Sequence, residues 1–272
     1  MLRSLLFLAA LVAAPLVHAQ SQRTLPDNDW CKEDRSYTER ERACEVREFV
    51  VSAGALDLDP GQNGGVTVRV WDRPDALVRV RVEAKGRSQA EAQRLVSETG
   101  VTAQGGRVRA TFPQTDRNAW SSVSYDVYAP AQTDLAINTH NGGVSVEGIR
   151  GDIGVEAMNG GISLRGVAGK VRAHTTNGGV SVALAGGSWS GEGLDVESTN
   201  GGISITLPRG YSAEIEARTQ MGRISAPDLT VRDAVRSSDR SFGDELRGRL
   251  GEGGPRVRAV TRNGGISITQ EG

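Results

Sequence analysis

Few residues in this 272-residue chain have the types and spacing that chemistry needs. Of its three histidines His18 lies in an apolar leader, which leaves His140 and His174 as candidate acid–base groups. His140 stands one residue before Asn141 and His174 three before Asn177, so they occupy different places in matching segments of a repeated motif. A histidine catalyses only with a nucleophile and an orienting group in reach, and each reads as an isolated exposed side chain. The serines recur as Gly-Gly-Val/Ile-Ser, which marks them as outward strand positions, and none stands in Gly-x-Ser-x-Gly with plausible triad partners. Glu147, Asp152 and Glu156 are close enough in sequence to suggest the paired carboxylates of a polysaccharide-cleaving enzyme. One repeat further on, Arg165, Lys170 and Arg172 take corresponding places, which favours ion pairs between neighbouring repeats, each worth little. Calcium-binding Gly-Gly repeats need an aspartate in every unit, and a phosphate loop needs a terminal Lys-Ser/Thr; both are missing. No catalytic, cofactor-binding or metal-ligating residue is assigned and no cofactor is expected. A glycan hydrolase or lyase stays as the alternative to a non-enzymatic protein.

Cys31 and Cys44 are the only cysteines. In an oxidising compartment they read as a disulfide worth about 3 kcal/mol in the chain-entropy model. Free or metal-binding thiols are the competing reading, but Asp-Trp-Cys-Lys-Glu-Asp offers no ligands at a metal-site spacing. Arg3, the apolar run Leu5 to Val17 and the small residue Ala19 form a secretory leader cleaved between Ala19 and Gln20; an uncleaved anchor is the alternative. The mature chain is then exported, to the periplasm, the cell envelope or the exterior. No later stretch is apolar enough for a membrane helix. The 32 Lys and Arg less Arg3, against 33 Asp and Glu, leave a charge of about −2, which points to neither nucleic acid nor an acidic membrane surface.

The elements that must position these residues are repeats. Asn-Gly-Gly-(Val/Ile)-(Ser/Thr)-(Val/Ile/Leu) begins at Asn63, Asn141, Asn159, Asn177, Asn200 and Asn263, with a weaker copy at Met221-Gly-Arg-Ile-Ser. From Asn141 the intervals are 18, 18, 23, 21 and 42 residues, so a degenerate unit or a loop fills 229–256. The trio Ile162-Ser163-Leu164 alternates with a period of two, burying its aliphatics on one face. Units of two or three short strands bury little alone and must stack, which predicts an all-β solenoid with rungs of about 18–23 residues. The stack sets Val144, Val146, Ile149, Ile153 and Val155 over Ile162, Leu164, Val167 and Val171, then Val180 and Val182, then Ile203 and Ile205. Asn141, Asn159, Asn177, Asn200 and Asn263 are expected to turn the chain, with positive φ tolerated by Asn and Gly, and to hydrogen-bond as a ladder. A succession of hairpins is the competing architecture. Thirty-five glycines and 4% aromatics suit narrow, often-turning β-structure.

Ahead of the repeats lies a less regular antiparallel β region, expected to cover the open end of the solenoid. It holds alternating segments such as Val78-Arg79-Val80-Arg81-Val82 and one short helix from Ser88, its N-cap, with Glu91 closing a capping box. The expected layout is a leader (1–19), a charged disulfide segment (20–48), an irregular β cap (49–132), solenoid repeats (133–228), a loop or degenerate rung (229–256) and a terminal rung (257–272).

Tyr125-Asp-Val-Tyr-Ala-Pro130, Leu135-Ala-Ile-Asn-Thr-His-Asn-Gly-Gly-Val-Ser-Val146 and the following Gly-x-Ile/Val and Thr-x-Asn-Gly-Gly-Ile units resemble the bacterial β-strand-repeat family labelled "putative adhesin", a domain of unknown function. The resemblance covers roughly 50 to 270. It implies a solenoid-like β-fold and an envelope location, and it transfers no catalytic residue. The expected function is an exported, non-catalytic scaffold or adhesin-like module. The candidate partners are a polysaccharide, peptidoglycan or an envelope protein.

Overall fold

A computed structural model describes residues 22–25, 29–32, 41–115, 119–239 and 243–271. The leader and its cleavage site at Ala19 and Gln20 lie outside them. The chain opens with β1 (Gln22–Leu25), the one-turn α1 (Asp29–Lys32) and the long β2 (Glu41–Ser52). There follow β3 (Ala55–Asp59), β4 (Val66–Val70), β5 (Asp75–Gly86), α2 (Gln89–Glu98), β6 (Gly100–Gln104), β7 (Arg107–Thr111) and β8 (Trp120–Ala129). The regular repeats supply β9 (Asp134–Asn141), β10 (Val144–Glu147), β11 (Arg150–Asn159), β12 (Ile162–Arg165), β13 (Ala168–Asn177), β14 (Val180–Ala183), β15 (Gly193–Asn200) and β16 (Ile203–Leu207). The last part holds β17 (Ala213–Met221), β18 (Ile224–Ser225), β19 (Arg232–Asp239), β20 (Gly243–Leu250), β21 (Arg256–Asn263) and β22 (Ile266–Gln270).

Among the described residues these strands form two 11-stranded sheets. Sheet A runs β1-β2-β5-β8-β4-β10-β12-β14-β16-β22-β18, and sheet B runs β19-β20-β17-β21-β15-β13-β11-β9-β3-β7-β6. Each rung is one strand in sheet B, a corner, and one strand in sheet A. Its equivalents pair in parallel without slip: Val144 opposite Ile162, Ile162 opposite Val180, Val180 opposite Ile203. Parallel pairing of equivalent strands rules out the succession of hairpins and makes the molecule a β-solenoid. In the regular rungs alternate strand residues face inward, and the aliphatics expected in the core from Val144 to Ile205 are all buried in one hydrophobic cluster fed by both sheets.

The rungs do not stack in chain order. β21 and β22 lie between the rung ending in β16 and the later-stacked rung β17–β18. At the other end β3 and β4 pair with β9 and β10 on one side, and with β7 and β8 on the other. Both chain-terminal copies of the motif are therefore interior rungs, and residues 55–70 of the region expected to be irregular belong to the parallel stack.

The two ends are closed differently. On the N-terminal side β2, β5 and β8 pair antiparallel, with α2 laid against β2 and β5 through Ala92, Leu95 and Val96. Ser88 caps α2 by accepting from Glu91 N, while the Glu91 carboxylate reaches back to Arg87 N rather than to the cap residue. The buried Arg47 guanidinium donates to Val96 O and Thr99 O, answering carbonyls at the helix C-terminus. On the C-terminal side the segment 229–256, expected to be a loop or degenerate rung, carries the hairpin β19–β20, antiparallel to β17 at the edge of sheet B. The only cysteines form the disulfide Cys31–Cys44, tying α1 to β2.

Candidate functional site

The corners set the shape of the outer surface. Asn141 Nδ2 donates to Asn63 Oδ1 (3.1 Å), and the series continues through Asn159, Asn177, Asn200 and Asn263, each donating to the asparagine of the rung before it in space at 2.7–2.9 Å. Asn63, read as part of the cap region, is the first step of this ladder. The expectation that Asn and Gly turn the chain through positive φ does not hold: among the six motif copies only Gly64 has it, and no motif asparagine does. The glycines answer a close approach. A Cβ on Gly160 would sit 2.1 Å from Gly142 O, on Gly178 2.1 Å from Gly160 O, and on Gly201 2.0 Å from Gly178 O. Two residues before Asn177, Asn200 and Asn263, the buried hydroxyls of Thr175, Ser198 and Thr261 donate to Gly160 O, Gly178 O and Gly201 O of the neighbouring rung.

Beside these corners the outer face of sheet A carries a row of small hydroxyl side chains. Ser145, Ser163, Ser181, Ser204, Ser267 and Ser225 stand opposite one another on six successive strands. Glycine backbone flanks them, and the five from Ser163 to Ser225 floor an open groove of about 750 Å³ over the C-terminal rungs, with Arg223 at its edge. Towards the N-terminus the same row continues through Thr67, Asp126 and Arg79, so it changes from hydroxyls to charges.

That change marks a pocket of about 510 Å³ bounded by Trp30, Thr67, Arg69, Arg79, Asp126 and Tyr128. Asp126 is its hub: Arg69 pairs with one oxygen, the Tyr128 hydroxyl donates to the other at 3.2 Å, and Arg79 lies 3.8 Å away while also bonding Glu48 (3.2 Å). Trp30 is brought over the strands by α1. The disulfide holds α1 from one side, and Arg42 donates to Cys31 O at 2.8 Å. Arg81 donates to Trp30 O (3.2 Å) and lays its guanidinium 5.2 Å from the indole centroid. Trp71 packs on Tyr128 with ring centroids 6.0 Å apart. Sequence reasoning missed this group, whose members are far apart in the chain. Its one available signal was the gathering of Trp30, Trp71, Trp120 and Tyr128 in an otherwise aromatic-poor protein.

Of the carboxylates and histidines singled out for chemistry, only Glu156 and His174 are brought into contact. Glu147 lies on the outer face of sheet A opposite Arg165, whereas Asp152 and Glu156 lie on the outer face of sheet B. Asp152 pairs with Lys170 at 3.8 Å, as the ion-pair reading expects. Glu156, however, faces His174 at 3.1 Å, and Arg172 stands opposite Gly154. His140 sits on the neighbouring strand β9 and ends its exposed face. Sheet B carries further cross-rung charge. Arg258 bridges Asp195 and Glu197, each at 2.5 Å; burial works against its charge, but the hydrogen bonds and charges of these two partners together prevail and raise its pKa above the ordinary guanidinium value. At its N-terminal end a groove of about 750 Å³ holds Asp57, Asp134 and Asp152. Burial pushes the Asp57 carboxyl up, but hydrogen bonds and charge from Arg109 and Arg107 prevail and hold it below the usual carboxylate value. Among the described residues no group of three or more His, Cys, Asp or Glu is placed to hold a metal ion, and no helix is long and apolar enough to cross a membrane.

No curated protein matches the chain. Two solved structures are similar over most of its length: a "putative cell adhesion protein" from Clostridium sporogenes and a "putative adhesin" from Bacteroides fragilis. The first is 10% identical with a TM-score of 0.43, covering 83% of this chain and 100% of its own. The second is 10% identical with a TM-score of 0.39, covering 84% and 97%. The sequence profile of the Toastrack DUF4097 family matches residues 119–269, from β8 through the regular rungs to the interleaved C-terminal rung. That span is more than half of the chain, and the protein belongs to the Toastrack DUF4097 family.

Proposed function

We propose that this protein is an exported, non-catalytic module of the bacterial cell envelope that binds an extended polar ligand on the outer face of sheet A. The observation that carries the reading is the contrast between the two outer faces. Sheet B spends its charges on one another, through pairs such as Arg258 with Asp195 and Lys170 with Asp152. Sheet A offers a continuous hydroxyl row flanked by glycine backbone, ending in a pocket with aromatic walls. Export is supported by the leader sequence and by the disulfide, a bond that persists in oxidising compartments. A polysaccharide or peptidoglycan strand suits such a face, since a polymer of hydroxyls and amides can exchange hydrogen bonds with the serines without burying charge.

Co-sedimentation with purified peptidoglycan and with insoluble polysaccharide tests the reading. The double variant Ser181→Arg/Ser204→Arg, which raises two long side chains from the middle of the row, is expected to abolish pelleting. Glu156→Gln on sheet B is expected to leave it unchanged. Equal behaviour of the two variants sinks the assignment of the binding face.

A further inference from the structure

The pocket at the N-terminal end of the hydroxyl row has the chemistry of a sugar-ring site. Its charged groups come in balanced number, Arg69 and Arg79 against Asp29 and Asp126, with Arg79 also paired to Glu48 and Asp29 to Lys32, which favours neither a phosphate nor a polycation. Asp126, Arg69 and Tyr128 already bond one another, and they keep spare capacity. A carboxylate has about four lone-pair positions. Asp126 uses part of that on Arg69 and Tyr128, and Arg69 remains nearly half exposed, with further N–H groups. Forked donors and acceptors of this kind match vicinal hydroxyls, which both give and accept hydrogen bonds. Trp30 and Tyr128 add flat apolar walls suited to the C–H face of a pyranose. A hydrocarbon ligand would strand the Asp126 and Arg69 groups without solvent, at a cost no apolar contact in so polar a cleft offsets.

Position adds a second observation. Thr67 both lines the pocket and stands opposite Ser145, the first serine of the row, so a chain leaving the pocket enters directly onto the hydroxyls. The walls are also preset: the disulfide, Arg42 and Arg81 fix α1 and the Trp30 ring, and little side-chain freedom is left to lose on binding.

We infer that this pocket binds a neutral sugar ring, stacked on Trp30 and hydrogen-bonded by Asp126 and Arg69, at one end of a polysaccharide lying along the serine row. The inference rests on the reading of sheet A as the binding face and sharpens it to one ligand class and one anchoring point.

Isothermal titration and tryptophan fluorescence with cellohexaose and chitohexaose test it on the full mature chain. Saturable binding of at least one oligomer is expected, weakened about tenfold, or ~1.4 kcal/mol, by each of Trp30→Ala and Asp126→Asn. Tyr128→Phe removes a single hydroxyl and should weaken binding about threefold with an unchanged melting curve, which keeps the test decisive where a larger change disturbs the fold. Failure of both oligomers to bind the wild type at about 10 mM overturns the inference. So does unchanged affinity in Tyr128→Phe together with the better-folded of the other two variants. Should polysaccharide still pellet with the wild type and be lost in Ser181→Arg/Ser204→Arg, the pocket falls alone and the binding face stands. Loss of both kinds of binding in the wild type takes the face down with it.

Discussion

The two ends of the solenoid solve one problem with the same device and different closures. At each end the chain-terminal copy of the motif is tucked inward, Asn63 against Asn141 and Asn263 against Asn200, while a later or earlier segment lacking Asn-Gly-Gly lies outside it. The N-terminal end is then sealed in sheet A by the long antiparallel strands β8, β5 and β2. The C-terminal end has in sheet A only the two residues of β18. The comparison shows what the motif is for. A complete Asn-Gly-Gly occurs where a rung has a parallel neighbour on both sides, and the outermost rung keeps only the part that faces inward. In Met221-Gly222-Arg223 the glycine that remains is the one whose Cβ would lie 2.0 Å from Gly264 O. Arg223 replaces the glycine that, in every inner copy, faces the next rung out; β18 ends sheet A on that side.

The hardest test of this comparison removes residues 256–272. In a solenoid stacked in chain order, trimming the last rung exposes one edge and little else. Here β21 and β22 join two parts of the molecule, and Val257, Ala259, Ile266 and Ile268 are at most 1% exposed. At roughly 1.5–3 kcal/mol for each large aliphatic, the loss approaches the whole stability of an ordinary domain. The truncated chain is expected to lose its cooperative urea transition, with 213–250 becoming open to protease. A truncated protein that unfolds with the wild-type midpoint and keeps 213–250 protected would show that the C-terminal rung is an add-on.

What was legible in the sequence follows from what each rung repeats. Parity along Ile162-Ser163-Leu164 gave the inward and outward faces, and the motif gave parallel stacking, because both are local. Rung order was not legible. Ile203 meets Ile266 as readily as Ile162 meets Val180, so interchangeable interfaces cannot say which copy is whose neighbour. The order is imposed by connections such as the β19–β20 hairpin, whose length shows only as an interval of 42 residues. The role of the glycines was misread for a related reason: a glycine needed for space and one needed for positive φ look alike in sequence. The aromatic pocket was hidden because residues 30, 67–69, 79 and 126–128 meet only through long-range pairing of β4, β5 and β8.

Single glycines give the next largest effect. Gly178→Ala places a Cβ against Gly160 O with rungs packed on both sides, and it is expected to cost about 3 kcal/mol. Gly222→Ala makes the same contact at the open end, where the rung can swing outward, and about 1 kcal/mol is expected. Gly179→Ala sets its Cβ 3.3 Å from Gly202 O, a contact that small adjustments absorb, and the lower entropy of the unfolded alanine chain leaves it within about 0.5 kcal/mol of wild type. Urea midpoints at constant m-value rank the three. Equal costs at Gly178 and Gly222 would mean that the outer rung is held as firmly as the inner ones, and the distinction between interior and edge copies would lose its physical basis.

The asparagine ladder offers the smallest and most discriminating comparison, because its interior and its outer end predict opposite signs. Asn177 donates to Asn159 and accepts from Asn200, and both bonds are solvent-exposed, so Asn177→Ala is expected to cost about 1 kcal/mol, near the lower end for two exchanged hydrogen bonds. Met221 occupies the ladder position next to Asn263 and is 71% exposed, so it contributes little apolar burial. Every step of the ladder runs from the Nδ2 of one rung to the Oδ1 of the rung on its N-terminal side, which gives Met221→Asn an acceptor in Asn263 Oδ1. The substitution adds a rung to the ladder and should stabilise by about 0.5 kcal/mol, raising Tm by roughly 1–2 °C. A loss of stability in Met221→Asn would mean that the outer rung is not in ladder register in solution. In that case the missing asparagine would be a mark of strain at the open end, and the edge would differ from the interior in backbone geometry as well as in neighbours.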